Sequence, residues 1–158
     1  MKQLLLIRHA EAAHPTGTSD FDRPLTARGR QCAQELAEKL KAARMCPELL
    51  IMSPATRTES TAQIVISGTG IAKAEKIEAI YEASTKTILG LINSLPDQHQ
   101  FIALVGHNPA FTDIAVYLTG KYVSLSPAAA ILILFEEDRW EEITKESGVR
   151  AWFYEPAD

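Results

Sequence analysis

FIALVGHNPAF, residues 101–111, is the stretch on which the fold turns. Its first five residues are apolar without a break, the pattern of a strand covered on both faces by helices, as in a parallel sheet. Gly106 ends the run, and after His107-Asn108-Pro109 the text takes on helical period as far as about Leu118. A buried strand that passes straight into a helix start is the repeating unit of an α/β chain, so the neighbouring segments should show the same grammar.

They do, in both directions. Upstream, Ile88, Leu91, Ile92 and Leu95 fall on one helical face between an N-cap at Ser84 and a stop at Pro96. A strand is predicted over Lys76–Tyr81. Before it, Glu48–Met52 reads as a strand ending at Ser53-Pro54, where Ser as N-cap and Pro at the first helical position start a helix towards Gly68. The chain opens with a strand over Gln3–Ile7. Its helix starts at Thr26 and lays Cys32, Leu36, Leu40 and Ala43 along one face. Downstream of Gly120 the pattern changes: Ala128–Phe135 and Val149–Tyr154 read as paired strands across the charged connection Glu136–Gly148, whose acidic runs suit the wet side of an edge hairpin. Trp140 and Trp152 would pack that edge onto the core. The expected fold class is α/β, a three-layer sandwich with a mostly parallel central sheet and an antiparallel edge hairpin. No repeat or linker divides the sequence, and 158 residues at 46% hydrophobic content suit one domain spanning 1–158.

Lys+Arg 16 against Asp+Glu 20 gives a net charge of -4, which excludes a general electrostatic grip on nucleic acid or anionic membrane; an anionic ligand would need a locally basic pocket. Cys32 and Cys46 lack metal-ligand spacing, and one possible disulfide is thin support for a secreted domain. The apolar run Leu4–Ile7 is cut short by Arg8 and His9, too early for a signal peptide or membrane span. A cytoplasmic location is expected.

Ligands of open parallel sheets bind beyond the carboxyl ends of the strands, where loops and helix N-termini converge. The residues that follow each strand are Arg8 and His9, then Arg57 in the first turn of its helix, then Glu82, then His107. Guanidinium forks match phosphoryl oxygens, and a neutral imidazole flanked by cations keeps a lone pair able to attack phosphorus. The constellation therefore points to phosphoryl chemistry. Zinc ligation by the two histidines with Glu82 is the competing reading, which the adjoining arginines oppose by repelling a cation.

The strings LLLIRHAEA, DFDRPLTARGR, SPATRTESTA, IYEAS and VGHNPAFTDIA resemble, in order and spacing, motifs of the histidine phosphatase superfamily, the group that includes cofactor-dependent phosphoglycerate mutases, and within it the small SixA-type phosphohistidine phosphatase branch. The resemblance covers most of residues 4–117, with Ala10 where the family's Arg-His-Gly signature has glycine. It implies a phosphoglycerate mutase-like fold, His9 as phosphoryl acceptor, Arg8, Arg57 and His107 as phosphate ligands, and Glu82 as proton donor, with no metal and no organic cofactor. Arg23, in the long loop Glu11–Pro24, would reach the phosphate or a peptide substrate, or else pair with Asp20 or Asp22. Asn108 would orient His107 or the phosphate, or cap the following helix, and Ser53 is read as a cap. His14 and His99 are expected to be solvated surface rings.

Fold alone does not choose a substrate. Between Arg57 and Glu82 only a helix and a strand fit, and few residues follow His107, so the helical cover found in mutases of this superfamily is not expected; an open pocket admits water and large substrates. The expected function is hydrolysis of phosphohistidine on a partner protein such as a histidine phosphotransfer domain. The alternatives are a phosphatase of a small phosphorylated metabolite and, from another class, a non-catalytic phospho-ligand module.

Overall fold

The computed structural model describes residues 1–157. The central strand β1 (Lys2–Arg8) is flanked by β4 (Phe101–Gly106), parallel to it, and by β5 (Ala130–Phe135), antiparallel. Outside β4 lie β2 (Leu49–Met52) and β3 (Ala74–Lys76), both parallel; outside β5 lies β6 (Gly148–Tyr154), antiparallel, giving the order β3-β2-β4-β1-β5-β6.

The continuous apolar runs have the cause inferred from them. Alternate residues serve opposite faces of the sheet. Leu4, Leu6, Ile51, Ile102 and Leu104 pack with Ile88, Ile92, Phe111 and Ile114 of α3 (Thr85–Asn93) and α4 (Ala110–Thr119). Leu5, Ile7, Leu50, Ala103 and Val105 pack with Leu36, Leu40, Ala62 and Val65 of α1 (Ala27–Ala42) and α2 (Thr56–Thr69). The result is the expected three-layer α/β sandwich with its antiparallel pair at one side. Gly68 lets α1 and α2 lie close, since a Cβ there would meet the Ala37 Cβ at 2.5 Å. Trp140 is fully buried, and its indole lies under Lys2, whose Nζ is 5.4 Å from the ring centroid. Trp152 stacks on Tyr154.

Helix starts follow the sequence at two of the three predicted caps. Thr26 accepts the Gly29 amide and Ser84 the Thr87 amide. Ser53 does not cap α2: the helix starts at Thr56 with Ala55 in the cap position, and the Ser53 side chain is engaged elsewhere. Ala43, placed on the buried face of α1, is exposed beyond its last turn. The strand expected over Lys76–Tyr81 also shifts. Only Ala74–Lys76 pairs, and Glu78–Ile80 forms a single 3-10 turn, because Ile77 and Ile80 have the spacing of a helical turn and the turn buries Ile80. Among the described residues, no helix is long and apolar enough to cross a membrane.

Candidate active site

Strand register brings the reactive residues together. Arg8 of β1 pairs with Gly106 of β4, so the next residue on each strand, His9 and His107, leaves the sheet side by side, and the two rings stand 5.3 Å apart. On the other side of β4, Met52 pairs with Val105, which puts Ser53 beside His107 and starts α2 so that Arg57 lies in its first turn. The Ala10 amide donates to Thr61 Oγ1 (3.0 Å), and Thr61 Oγ1 donates to the Arg57 carbonyl (2.8 Å), tying the first loop to α2. Ala10 is fully buried and is not among the residues with positive φ, so this backbone needs no glycine.

His9 is only 9% exposed. Burial, then the charges of Arg57, Arg8 and Arg23, push its pKa down to about 4, against an opposing hydrogen bond to the Ala10 carbonyl. The ring is therefore neutral at pH 7. A carbonyl can only accept, so the 2.7 Å contact fixes the hydrogen on Nδ1 and leaves the lone pair on Nε2. His107 is also held neutral, at about 3, first by burial and then by His9 and Arg57.

Four buried side-chain polar atoms among the described residues lack a hydrogen-bond partner, and three of them are Arg8 Nε, Arg57 Nε and His107 Nδ1. Native proteins rarely leave such atoms unsatisfied without a functional reason. Arg8 is oriented by donating from Nη1 to the Leu125 carbonyl (3.0 Å), which also accepts from Asn108 Nδ2 (2.9 Å). Asn108 Oδ1 in turn accepts the Thr112 amide at the start of α4, in keeping with a capping role.

Asp20 is the residue the sequence reading underused. Its carboxylate accepts from Arg57 Nη2 (3.1 Å), Arg23 Nη1 (3.1 Å) and the Tyr81 hydroxyl (2.7 Å), and its carbonyl accepts from Arg57 Nη1 (2.7 Å). The Tyr81 hydroxyl and the two guanidinium groups hold this carboxyl well below the usual carboxylate range, and Asp20 in turn pushes Tyr81 up to about 12. Arg57 thus keeps its terminal nitrogens on the loop and has only Nε unpaired. Arg23 pairs with Asp20, and not with Asp22; it also donates to the Ala13 carbonyl and contacts His14 Nε2 at 2.8 Å. Tyr81 stands edge-on to both Phe21 and His107, with centroid distances of 5.1 and 5.6 Å.

Glu82 is not drawn into this cluster. It is exposed, follows the 3-10 turn with φ 55, and among the described residues it makes no hydrogen bond or ion pair. His99 departs from expectation too. Its side chain is 12% exposed and Nδ1 lies 3.4 Å from Glu48, because the Glu48 carboxylate turns back to accept the Gln100 and Phe101 amides at the head of β4. Among the described residues, no group of three or more His, Cys, Asp or Glu side chains is placed to hold a metal.

Both site histidines take up protons in the unfolded chain near pH 6.5 but in the folded protein only near 4 and 3. The native state therefore binds fewer protons across that interval, and stability should fall as pH drops from 6.5 to about 4, by roughly 3 kcal/mol from His9 alone. Denaturant unfolding at stepped pH checks this, and in His9→Ala that part of the slope should disappear.

Residues 4–100 match the histidine phosphatase superfamily, branch 1. A structure from Agrobacterium tumefaciens, provisionally named a phosphohistidine phosphatase SixA, superposes with a TM-score of 0.86 at 24% identity, covering 98% of both chains. The protein histidine phosphatase SixA complexed with tungstate gives 0.82 at 21% identity, with 96% of this chain and 95% of that one covered. Phosphoserine phosphatase of Entamoeba histolytica, in complex with 3-phosphoglyceric acid, gives 0.70 at 19% identity, with 99% and 98% covered. These likenesses establish the fold.

Proposed function

The chain belongs to the histidine phosphatase superfamily and is a phosphatase, and from that premise we propose that it hydrolyses phosphohistidine through a covalent intermediate on His9. The observation that carries this reading is the pairing of a free Nε2 lone pair on a neutral His9 with unpartnered buried nitrogens on Arg8, Arg57 and His107 around it. A nucleophile and three donors for equatorial oxygens are what in-line phosphoryl transfer requires. In the first step the Nε2–P bond forms as the bond from phosphorus to the leaving group breaks. In the second, water attacks phosphorus, the Nε2–P bond breaks, and inorganic phosphate leaves with His9 restored.

Glu82 serves as acid for the leaving group and then as base for water. Its exposed position suits a demand that varies with substrate. A phosphohistidine ring already protonated on its other nitrogen departs as neutral imidazole and needs little help, whereas a serine alkoxide must be protonated. The fifteen residues between α2 and α3 are spent on a three-residue strand and one 3-10 turn, which supports an open approach for a protein substrate such as a phosphotransfer domain. The alternative substrate is a small phosphorylated metabolite, for which the Asp20 loop, held on Arg57 by two hydrogen bonds, would be the nearest wall.

Phosphate release from a phosphohistidine peptide and from a phosphoserine peptide, each with wild type and Glu82→Gln, tests the assignment. The phosphohistidine peptide should be the better substrate, with Glu82→Gln costing less than about threefold on it but about 10²-fold on phosphoserine. Faster release from phosphoserine would contradict the assignment.

A further inference from the structure

We propose that Ser53 is a positioning residue that fixes the tautomer of His107, so that His107 presents an Nδ1–H donor to the transferring phosphoryl group. Ser53 is fully buried, and its Oγ lies 2.8 Å from His107 Nε2. The same Oγ accepts the Ala55 amide (3.3 Å).

A hydroxyl has one hydrogen to give, and an imidazole nitrogen either gives or accepts. If Ser53 donates to Nε2, the hydroxyl is satisfied both ways, and the one orphan is the N–H at Nδ1. If Nε2 donates to Ser53 instead, the serine hydrogen has no acceptor among the described residues, and Nδ1 is left as a second orphan, a bare lone pair. Two buried unsatisfied groups cost more than one, so the first arrangement prevails. The chosen orphan is also useful. His107 Nδ1 has no protein partner, and its ring adjoins that of His9, where an oxygen of the phosphoryl group would accept the hydrogen.

Neutral imidazole left to itself favours the Nε2–H form, so Ser53 holds the ring in its minor tautomer. The backbone secures the serine. Its amide donates to the Val105 carbonyl of β4 (3.1 Å), and its carbonyl accepts the Thr58 hydroxyl (2.8 Å). Ser53 is thereby tied to β4 and α2 together, the elements that carry His107 and Arg57.

The tautomer is a property of the resting protein, while its use in turnover rests on the phosphatase reading above; the two are tested separately. Long-range proton–nitrogen correlation spectra of protein labelled with ¹⁵N in histidine, at pH 7, report each ring nitrogen, and His107→Gln assigns the signals. The wild type should show Nδ1 as the protonated nitrogen of His107 and Nε2 as a hydrogen-bonded acceptor. Added inorganic phosphate should move the Nδ1–H proton downfield. The reverse tautomer in the wild type would overturn the proposal, and that spectrum needs no variant to fold. In Ser53→Ala the signals should shift towards the Nε2–H form while kcat falls about tenfold and KM changes less than about twofold. An unchanged kcat with an altered tautomer would overturn the positioning role. A wild type with the Nδ1–H form but no phosphatase activity would instead count against the reading of the reaction.

Discussion

His9→Ala is expected to lower kcat/KM for phosphate release by about 10⁴-fold or more, with no residual phosphoenzyme. Other residues around this site position or stabilise charge, and losing one leaves the rest in place. Losing His9 removes the atom to which the phosphoryl group is bound. What remains is a pocket of donors that binds a phosphoryl group without accepting it, and a direct attack by water in that pocket has no oriented nucleophile. The fold should survive, because the Leu4–Ile7 core of β1 precedes His9 and is untouched, and because the lost hydrogen bond to the Ala10 carbonyl costs about 1 kcal/mol. Phosphate release, read beside a thermal unfolding curve, separates the two effects. Activity within tenfold of wild type would remove His9 from the mechanism.

Arg57→Ala should cost about 10³-fold in kcat/KM, some 4 kcal/mol of transition-state stabilisation. This guanidinium is 8% exposed, occupies the first turn of α2, and has its terminal nitrogens engaged by Asp20, which leaves Nε unpartnered. A buried cation held on one side by the protein is rigid towards whatever approaches the other. Arg57→Lys is expected to lose nearly as much, since an ammonium group cannot hold two acceptors on the loop and aim a third donor elsewhere. Stability should suffer less than activity in either variant, as Asp20 is about half exposed and keeps Arg23 and Tyr81. Steady-state kinetics with both variants check this; a loss below tenfold for Arg57→Lys would show that charge alone suffices.

Much of the site was legible in the sequence because parallel sheets impose a rule on it. Once FIALV and LLLI are read as buried strands, His107 and His9 must emerge at the same end, and only their adjacency had to await the order of strands. What the sequence hid depends on loops and on competition between partners. Asp20 reaches Arg57 across a separation of 37 residues, through a loop whose path no periodicity encodes. Ser53 followed by Pro54 matches a helix cap, yet its hydroxyl finds His107 54 residues on, a partner that exists only after β2 and β4 pair. Glu82 shows the converse. Its position after an expected strand hid a turn: the strand ends at Lys76, and Glu82 follows a 3-10 turn with its side chain exposed.

The proposed reaction depends on a covalent phosphoryl group at one nitrogen. Rapid acid-free quenching of wild-type protein during turnover, followed by mass spectrometry of the peptide containing His9, measures it most directly. A phosphoryl group stable to alkali and lost in acid, located on His9 and missing from His9→Ala, is the expected result. Turnover with no phosphorylated peptide at any time point, or the same modification on His107, would contradict it.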